Sequence, residues 1–128
     1  MTLRDNFISS LLAWIGNNLD KKLKIDDVAI HSGYSKWHLQ RIFKQEVGMT
    51  LSDYILQRRL NESVFKLLNT DEKIINISLS LGFDTQQQYN RAFKRHFHIT
   101  PGSLRQKDPV SVNLKQPIID GGLNLKPK

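Results

Sequence analysis

Apolar residues recur every three or four positions along most of the chain, up to about residue 106. This spacing places side chains on one face of an α-helix, and no segment has the pattern of a β-strand. The chain is therefore predicted to be all-α, with about seven helices. The expected helices cover about residues 6–19, 25–32, 36–47, 51–68, 74–81, 86–97 and 101–106.

The ends of these helices are predicted by residues that can satisfy free backbone groups. A hydroxyl or carboxylate before a helix accepts hydrogen bonds from its first N–H groups, and glycine adopts the left-handed conformation that ends many helices. Thr50 with Asp53, and Thr85 with Gln88, also have the spacing of a capping box. The expected N-caps are Asp5, Ser35, Thr50, Thr85 and Thr100, and the expected turn glycines are Gly33 and Gly82.

The same apolar positions predict which side of each helix is buried, because residues three and four apart share a face. In the first two helices the expected buried residues are Phe7, Ile8, Leu11, Leu12, Ile15 and Leu19, followed by Val28 and Ala29. In the longer helices they are Leu39, Ile42, Phe43 and Val47, then Tyr54, Ile55, Val64, Phe65 and Leu68, then Tyr89, Ala92, Phe93 and Phe97.

Two stretches of the chain repeat one another. Residues 28–50 and 77–100 each contain a short apolar helix, a glycine-containing turn and a longer amphipathic helix, with one extra residue in the second copy. That order is typical of a helix-turn-helix, so the repeat predicts two of these motifs. The matching positions are Gly33-Tyr34 and Gly82-Phe83, Phe43-Lys44 and Phe93-Lys94, and Thr50 and Thr100.

This repeat predicts the domain organisation. We expect helix-turn-helix subdomains at residues 1–50 and 70–107, joined by a linker helix over 51–69. Nineteen residues at 1.5 Å each give a helix about 28 Å long, somewhat less than the ~34 Å between successive major-groove segments of DNA. The remaining segment, 108–128, holds three of the four prolines and a glycine pair, and is predicted to be an extended or disordered tail.

The longer helix of each motif carries a similar set of outward residues. Arginine can form two hydrogen bonds with guanine, and asparagine or glutamine can do so with adenine. Segments 36–45 and 86–97 hold six Lys or Arg and no Asp or Glu. An ordinary solvated face would explain one such helix, but two matched faces favour DNA binding. The candidate DNA-binding residues are Trp37, Gln40, Arg41 and Lys44 in the first motif, and Gln87, Asn90, Arg91 and Lys94 in the second.

Composition narrows the choice of partners. The 128 residues include 19 Lys and Arg against 12 Asp and Glu, a net charge of +7, which favours a polyanion and above all double-stranded DNA. The absence of cysteine excludes a disulfide scaffold and a thiolate metal site. No apolar run reaches the ~18 residues of a membrane span, and the N-terminus does not resemble a signal peptide. We expect a cytoplasmic protein without a membrane partner.

The segments SGYSKWHLQRIFK and GFDTQQQYNRAFKRHFHITPGSLR resemble both halves of the DNA-binding domain of the AraC/XylS family of bacterial transcription activators. The resemblance covers about residues 6–107 and is closest to the MarA/SoxS/Rob subgroup around residues 32–41. It adds Gln86 and Gln88 to the base-facing residues of the second motif. The chain departs from the family pattern at Ser78, Gln88, Asn90, His98 and Leu104.

The resemblance implies a monomer that binds an asymmetric site and recruits RNA polymerase at promoters for stress defence and multidrug resistance. The longer helices of the two motifs also differ in sequence, which favours an asymmetric DNA site. A bacterial, nucleoid-associated location in the cytoplasm is expected. Because the sequence begins a few residues before its first helix and its tail is short, we expect no small-molecule effector domain. No cofactor is expected.

Two alternatives come from other classes of protein. An enzyme could use His96 and His98 as metal ligands, but residues two apart on a helix point to different faces, and no third ligand is placed near them. We therefore expect neither an enzyme nor a metal site. A basic helical module that binds acidic proteins is the second alternative, and dependence on base sequence separates it from a DNA-binding protein. RNA is less favoured because its A-form major groove excludes such helices.

Overall fold

The computed structural model of the protein describes residues 3–21 and 23–106, with side chains from residue 6 onward. Within these ranges the chain is helical and contains no strand. None of the described helices combines the length and the apolar character needed to cross a bilayer. The helices are α1 (Leu3–Gly16), α2 (Ile25–Ser32), α3 (Lys36–Val47), α4 (Leu51–Asn69), α5 (Ile74–Ser80), α6 (Gln86–Phe97) and α7 (Pro101–Gln106).

The described residues divide into two compact units within α4, between Arg58 and Arg59. Each unit has its own apolar core, in which burying one large side chain contributes about 1.5–3 kcal/mol. The expected all-α fold of two helix-turn-helix motifs and a long central helix is confirmed. The largest fully buried side chains are Ile15, Leu39, Ile42, Phe43, Leu51 and Tyr54 in the first unit, and Leu60, Ile77, Tyr89, Phe93, Phe97 and Leu104 in the second.

In the first unit, α2 and α3 form a helix-turn-helix. Gly33 follows α2 with a φ of 81°, and its N–H donates to the Ala29 carbonyl. The hydroxyl of Ser35 then accepts a hydrogen bond from the His38 N–H at 3.1 Å and caps α3. The predicted turn glycine and N-cap are thus confirmed. The buried side of α3 consists of the four residues expected there: Leu39, Ile42, Phe43 and Val47.

In the second unit, α5 and α6 repeat this arrangement. The turn after α5 includes Gly82, whose φ is 89°, as the sequence predicts. Thr85 caps α6 by accepting a hydrogen bond from the Gln88 N–H at 3.0 Å. The extra residue of the second copy lies in this turn, because three positions separate Gly82 from Thr85. Of the expected inward residues of α6, Tyr89, Phe93 and Phe97 are buried, and Ala92 is half-buried.

Both ends of the long helix α4 are closed by side chains. Thr50 accepts a hydrogen bond from the Asp53 N–H at 3.1 Å, which confirms the predicted N-cap. At the other end, the last carbonyls of a helix have no partner within the helix. The guanidinium of Arg105, in α7, supplies donors there. Its hydrogen bonds reach the carbonyls of Lys66 (3.5 Å), Leu67 (3.2 Å), Thr70 (3.1 Å) and Glu72 (2.5 Å).

The first helix differs from its prediction at both ends. It begins at Leu3, so Asp5 lies inside it and is not its N-cap. The extension is consistent with the high helix propensity of leucine and arginine, which occupy positions 3 and 4. The helix ends at Gly16, three residues before Leu19, because the poor helix former glycine is followed by a turn. Leu19 is nevertheless buried, as expected.

The buried side of α4 also differs from its prediction. Phe65 is 61% exposed, and Leu68 is only half-buried. The buried apolar positions in this part of the helix are Leu60, Val64 and Leu67, which are four and three residues apart. Phe65 follows Val64 directly, so it is turned about 100° around the helix, away from the core. The predicted tail, 108–128, lies outside the described residues.

Three departures from the family pattern fit their local surroundings. The Ser78 side chain is fully buried, and its hydroxyl donates to the Ile75 carbonyl at 2.8 Å, which satisfies it. Leu104 is fully buried in the core of the second unit. His98 ends α6 in the left-handed conformation, with a φ of 65°, where glycine is the usual residue. Its N–H donates to the Lys94 carbonyl at 2.8 Å.

Candidate nucleic-acid interface

The first candidate surface lies on α3, opposite its buried side. All four of its side chains are exposed. They sit three and four positions apart, so the apolar core that fixes the inward side of α3 also fixes their outward direction. We call this surface the first face. It consists of Trp37, Gln40, Arg41 and Lys44.

Trp37 is the most unusual member of the first face because it is large, apolar and 70% exposed. The guanidinium carbon of Arg41 lies 5.0 Å from the centre of its ring, which is the geometry of a cation–π contact. At an exposed site such a contact contributes about 0.5–1 kcal/mol. It therefore holds the two side chains next to one another on the surface, with the arginine donors beside an apolar ring.

Further aromatic rings connect the first face to α1. Tyr34, in the turn before α3, contacts the ring of His38 at 5.1 Å and the ring of Phe7 at 5.1 Å, both edge to face. His38 in turn lies 6.3 Å from Trp37, measured between ring centres. Edge-to-face aromatic pairs are favourable beyond the area that they bury. These contacts support the start of α3, from which Trp37 projects.

The second candidate surface lies on α6 and matches the first in position and chemistry. Gln87, Arg91 and Lys94 are exposed, and Asn90 is partly exposed. Counted from their N-caps, these four residues stand at the same positions as Trp37, Gln40, Arg41 and Lys44. We call this surface the second face: Gln87, Asn90, Arg91 and Lys94. It has the same charged groups as the first face, but Gln87 replaces the tryptophan and Asn90 replaces Gln40.

The second face lines a surface groove, which also includes Arg95 and Thr100. Neither residue is among the DNA-binding residues that the sequence predicts. The sequence predicts Thr100 only as an N-cap, and its hydroxyl does accept a hydrogen bond from the Ser103 N–H at 3.1 Å. Arg95 could have been found from its position four residues after Arg91, which places both on one side of α6. The groove thus contains three cations and no carboxylate.

Replacing Arg95 with alanine should weaken binding to all DNA sequences by a similar factor. An arginine beside residues that are predicted to contact bases is expected to contact a phosphate. Losing one phosphate contact lowers the salt slope of log K by about 0.9. The measurement is the affinity for several duplexes at different salt concentrations. Arg95→Lys keeps the charge and should keep the slope. A loss confined to one sequence would instead indicate a base contact.

Gln86 and Gln88 differ from the rest of the second motif's candidates. Gln86, the first residue of α6, is partly buried. Gln88 is exposed, but its side-chain oxygen accepts a hydrogen bond from the Asp84 N–H at 2.9 Å. The second-face residues Gln87, Asn90, Arg91 and Lys94 are brought together in the groove, whereas Gln86 and Gln88 do not line it.

Two carboxylates of the motifs lie near cations that are not part of either face. Asp26 of α2 forms a 3.1 Å ion pair with Lys36 at the start of α3, and both side chains are exposed, so the pair contributes at most about 1 kcal/mol. In the second unit, burial lowers the pKa of Arg59, and the nearby Asp84 carboxylate opposes this effect. One carboxylate of each motif, Asp26 or Asp84, is thus associated with a cation outside the two faces.

The two histidines considered as metal ligands have different surroundings. His96 is partly buried, and burial, together with the neighbouring His98, lowers its pKa. Its ring contacts Phe97 at 4.6 Å, and His98 is exposed at the end of α6. The part of the chain that the structure describes contains no group of three His, Cys, Asp or Glu residues placed to hold a metal ion.

Comparison with known proteins places the chain in a group of transcription regulators. Residues 19–107 match the sequence model of a helix-turn-helix domain family. The chain is 44% identical over 105 residues to the HTH-type transcriptional activator AarP of Providencia stuartii, covering 82% of this chain and 78% of AarP. It is 45% identical over 100 residues to the regulatory protein SoxS of Escherichia coli K12, covering 78% of this chain and 94% of SoxS.

A solved structure supports the same assignment. A transcriptional regulator from Chromobacterium violaceum with an AraC-type DNA-binding domain superposes with a TM-score of 0.73 at 32% sequence identity. The match covers 79% of this chain and 90% of that one. The similarity in sequence and in fold therefore extends over both motifs and the helix between them.

Proposed function

The chain belongs to the AraC/XylS family of helix-turn-helix transcription regulators, and we propose that its two motifs bind adjacent major-groove segments of one asymmetric DNA site. As a member of that family it is a DNA-binding transcriptional activator and not an enzyme. The observation that carries the proposal is the pair of exposed, basic and acid-free faces, each on a helix that follows a glycine turn and each packed on its own core.

Each face contains groups suited to base edges and a lysine suited to the DNA backbone. Arg41 and Arg91 can each donate two hydrogen bonds to a guanine, and Gln40 and Asn90 can pair with an adenine. Trp37 offers an apolar ring for a thymine methyl group or a sugar. Base contacts would supply the sequence preference. Lys44, Lys94 and Arg95 would contact phosphates, which position a protein without selecting sequence.

We propose that one copy of the chain suffices for a site. The first face carries a tryptophan and a glutamine where the second carries a glutamine and an asparagine, so the two half-sites should differ in sequence. A dimer on a palindrome would instead require the same residues at both half-sites. In this proposal residues 1–50 and 70–107 act as the two DNA-binding subdomains, and residues 51–69 connect them.

We further propose that the bound protein recruits RNA polymerase at stress and multidrug-resistance promoters, in the bacterial cytoplasm at the nucleoid. The support is the similarity to AarP, whose name describes a transcriptional activator, and to the regulatory protein SoxS. In vitro transcription with purified polymerase tests this part. Added protein should raise the transcript from a promoter that carries its site, and should leave the same promoter with a scrambled site unchanged.

Methylation interference tests the two-segment contact directly. Guanine N7 lies in the major groove, so its methylation blocks an arginine that binds there. The proposal predicts two clusters of interfering guanines, separated by about one helical turn of 10–10.5 base pairs. A single cluster would mean that one motif supplies all base contacts. No interfering guanine, together with binding to acidic proteins, would favour the alternative of a basic interaction module.

A further inference from the structure

The start of α6 is closed by more hydrogen bonds than a simple cap provides. Thr85 accepts a bond from the Gln88 N–H at 3.0 Å, in the usual manner of an N-cap. The side-chain oxygen of Gln88 then turns back and accepts from the Asp84 N–H at 2.9 Å. In an ordinary capping box the returning side chain accepts from the N-cap residue itself. Here the bond reaches one residue further and includes the turn.

The turn that Gln88 closes is also packed against Arg59. Gly82 has a φ of 89°, and a Cβ atom there would lie 2.6 Å from a guanidinium nitrogen of Arg59, so the two groups are in close contact. Asp84, two residues later, interacts electrostatically with the same guanidinium. Gln88 therefore holds the backbone of Asp84, and the Asp84 carboxylate interacts electrostatically with Arg59. Both contacts lie within the second unit.

The first motif provides an internal comparison, because its residues can be matched to the second by distance from the N-cap. His38 stands three positions after Ser35, just as Gln88 stands three positions after Thr85. The His38 ring packs against Tyr34 and is not part of the first face. Counted in this way, Trp37, Gln40 and Arg41 correspond to Gln87, Asn90 and Arg91. Gln88 corresponds to His38, which is not a candidate DNA-binding residue.

We infer that Gln88 is a positioning residue, which fixes the turn and the start of α6 while Gln87, Asn90 and Arg91 contact the bases. The inference rests on the proposed function of α6 in DNA binding. It gives Gln88 a role different from the base contact that the family resemblance implies. The bond to Asp84 turns the Gln88 amide back toward the turn, whereas a bidentate contact with adenine requires the oxygen and the nitrogen of the amide both to face the base.

Three variants test this role: Gln88→Ala, Gln88→Glu and, as the matched control, the neighbouring Gln87→Ala. The first readout is exchange of the Asp84 amide with water, measured by NMR on the full chain without DNA. Gln88→Ala should speed this exchange by roughly fivefold or more, since a hydrogen bond is lost. Gln88→Glu keeps an acceptor and should preserve the protection. Gln87→Ala should leave the exchange unchanged.

The second readout is affinity for a panel of duplexes in which each base pair of the second half-site is varied. Gln88→Ala should weaken all duplexes by the same factor and keep the order of preference, whereas Gln87→Ala should flatten the preference at one base pair. Unchanged Asp84 exchange in Gln88→Ala, or preference lost at a single base pair, would overturn the inference. If the wild-type chain itself shows no base preference, the proposed function is overturned as well. The wild-type result therefore distinguishes failure of the proposed function from failure of the inference about Gln88.

Discussion

Replacing Arg105 with alanine should lower the free energy of unfolding by about 3 kcal/mol. Its guanidinium donates to four backbone carbonyls at and beyond the end of α4, and two of these bonds, to Thr70 and Glu72, are 3.1 and 2.5 Å long. A hydrogen bond from a charged group contributes about 1.5–3 kcal/mol, and the contributions of bonds to one group do not simply add. Alanine would also remove the Arg105 donors from the partly buried carbonyls of Leu67 and Glu72.

Arg105→Lys is the matched control, because it keeps the charge but loses the planar fork that reaches several carbonyls at once. It should recover only part of the loss. Chemical denaturation followed by circular dichroism measures the change. Both tryptophans, Trp14 and Trp37, lie in the first unit, so their fluorescence reports that unit separately. A loss below about 1 kcal/mol for Arg105→Ala would mean that the hydrogen bonds of Arg105 to the end of α4 do not stabilise the fold as predicted.

The double variant Arg41→Ala with Arg91→Ala should lose nearly all preference for a specific site. A bidentate arginine–guanine contact contributes about 1–3 kcal/mol of discrimination. The two arginines lie in separate units, so their losses should add to roughly 2–6 kcal/mol. That corresponds to a decrease in affinity of about 30-fold to more than 10,000-fold. Both side chains are exposed, so the fold should be little affected.

Single variants and altered half-sites show whether each arginine contacts its own guanine. Changing the base pair that Arg41 contacts should weaken wild type but should have little further effect on Arg41→Ala, and the same holds for Arg91 in the other half-site. Lys44→Ala and Lys94→Ala are the controls, which should weaken all sequences alike. If the arginine variants behave like the lysine variants, the arginines contact phosphates rather than bases.

Most of the fold could be predicted because its determinants are local in sequence. Gly33 and Gly82 have positive φ values, and Ser35 and Thr85 accept hydrogen bonds from residues three positions later. These signals lie within a few residues of the structure that they specify. The anchoring by Arg105 could not be predicted in this way, because its bonds span 33 to 39 residues of sequence.

The errors also have local physical causes. Phe65 was expected in the core because it is apolar, but its neighbours Val64 and Leu67 occupy the buried side of α4. The capping box predicted for Gln88 is not formed in its usual way, because its side-chain oxygen accepts from Asp84 rather than from the N-cap Thr85, and its base contact stays a prediction. Arg95 lies four residues after Arg91, so the spacing along the sequence already places it on the side of α6 that lines the groove.

The most direct test of the central claim is fluorescence anisotropy with the wild-type chain near physiological salt. One labelled duplex would carry a site selected by the protein from randomised sequences, and the other would carry the same bases in scrambled order. Two motifs that contact base edges should bind the selected duplex tighter by roughly a thousandfold. Equally weak binding to both duplexes would contradict sequence-specific DNA binding by this chain.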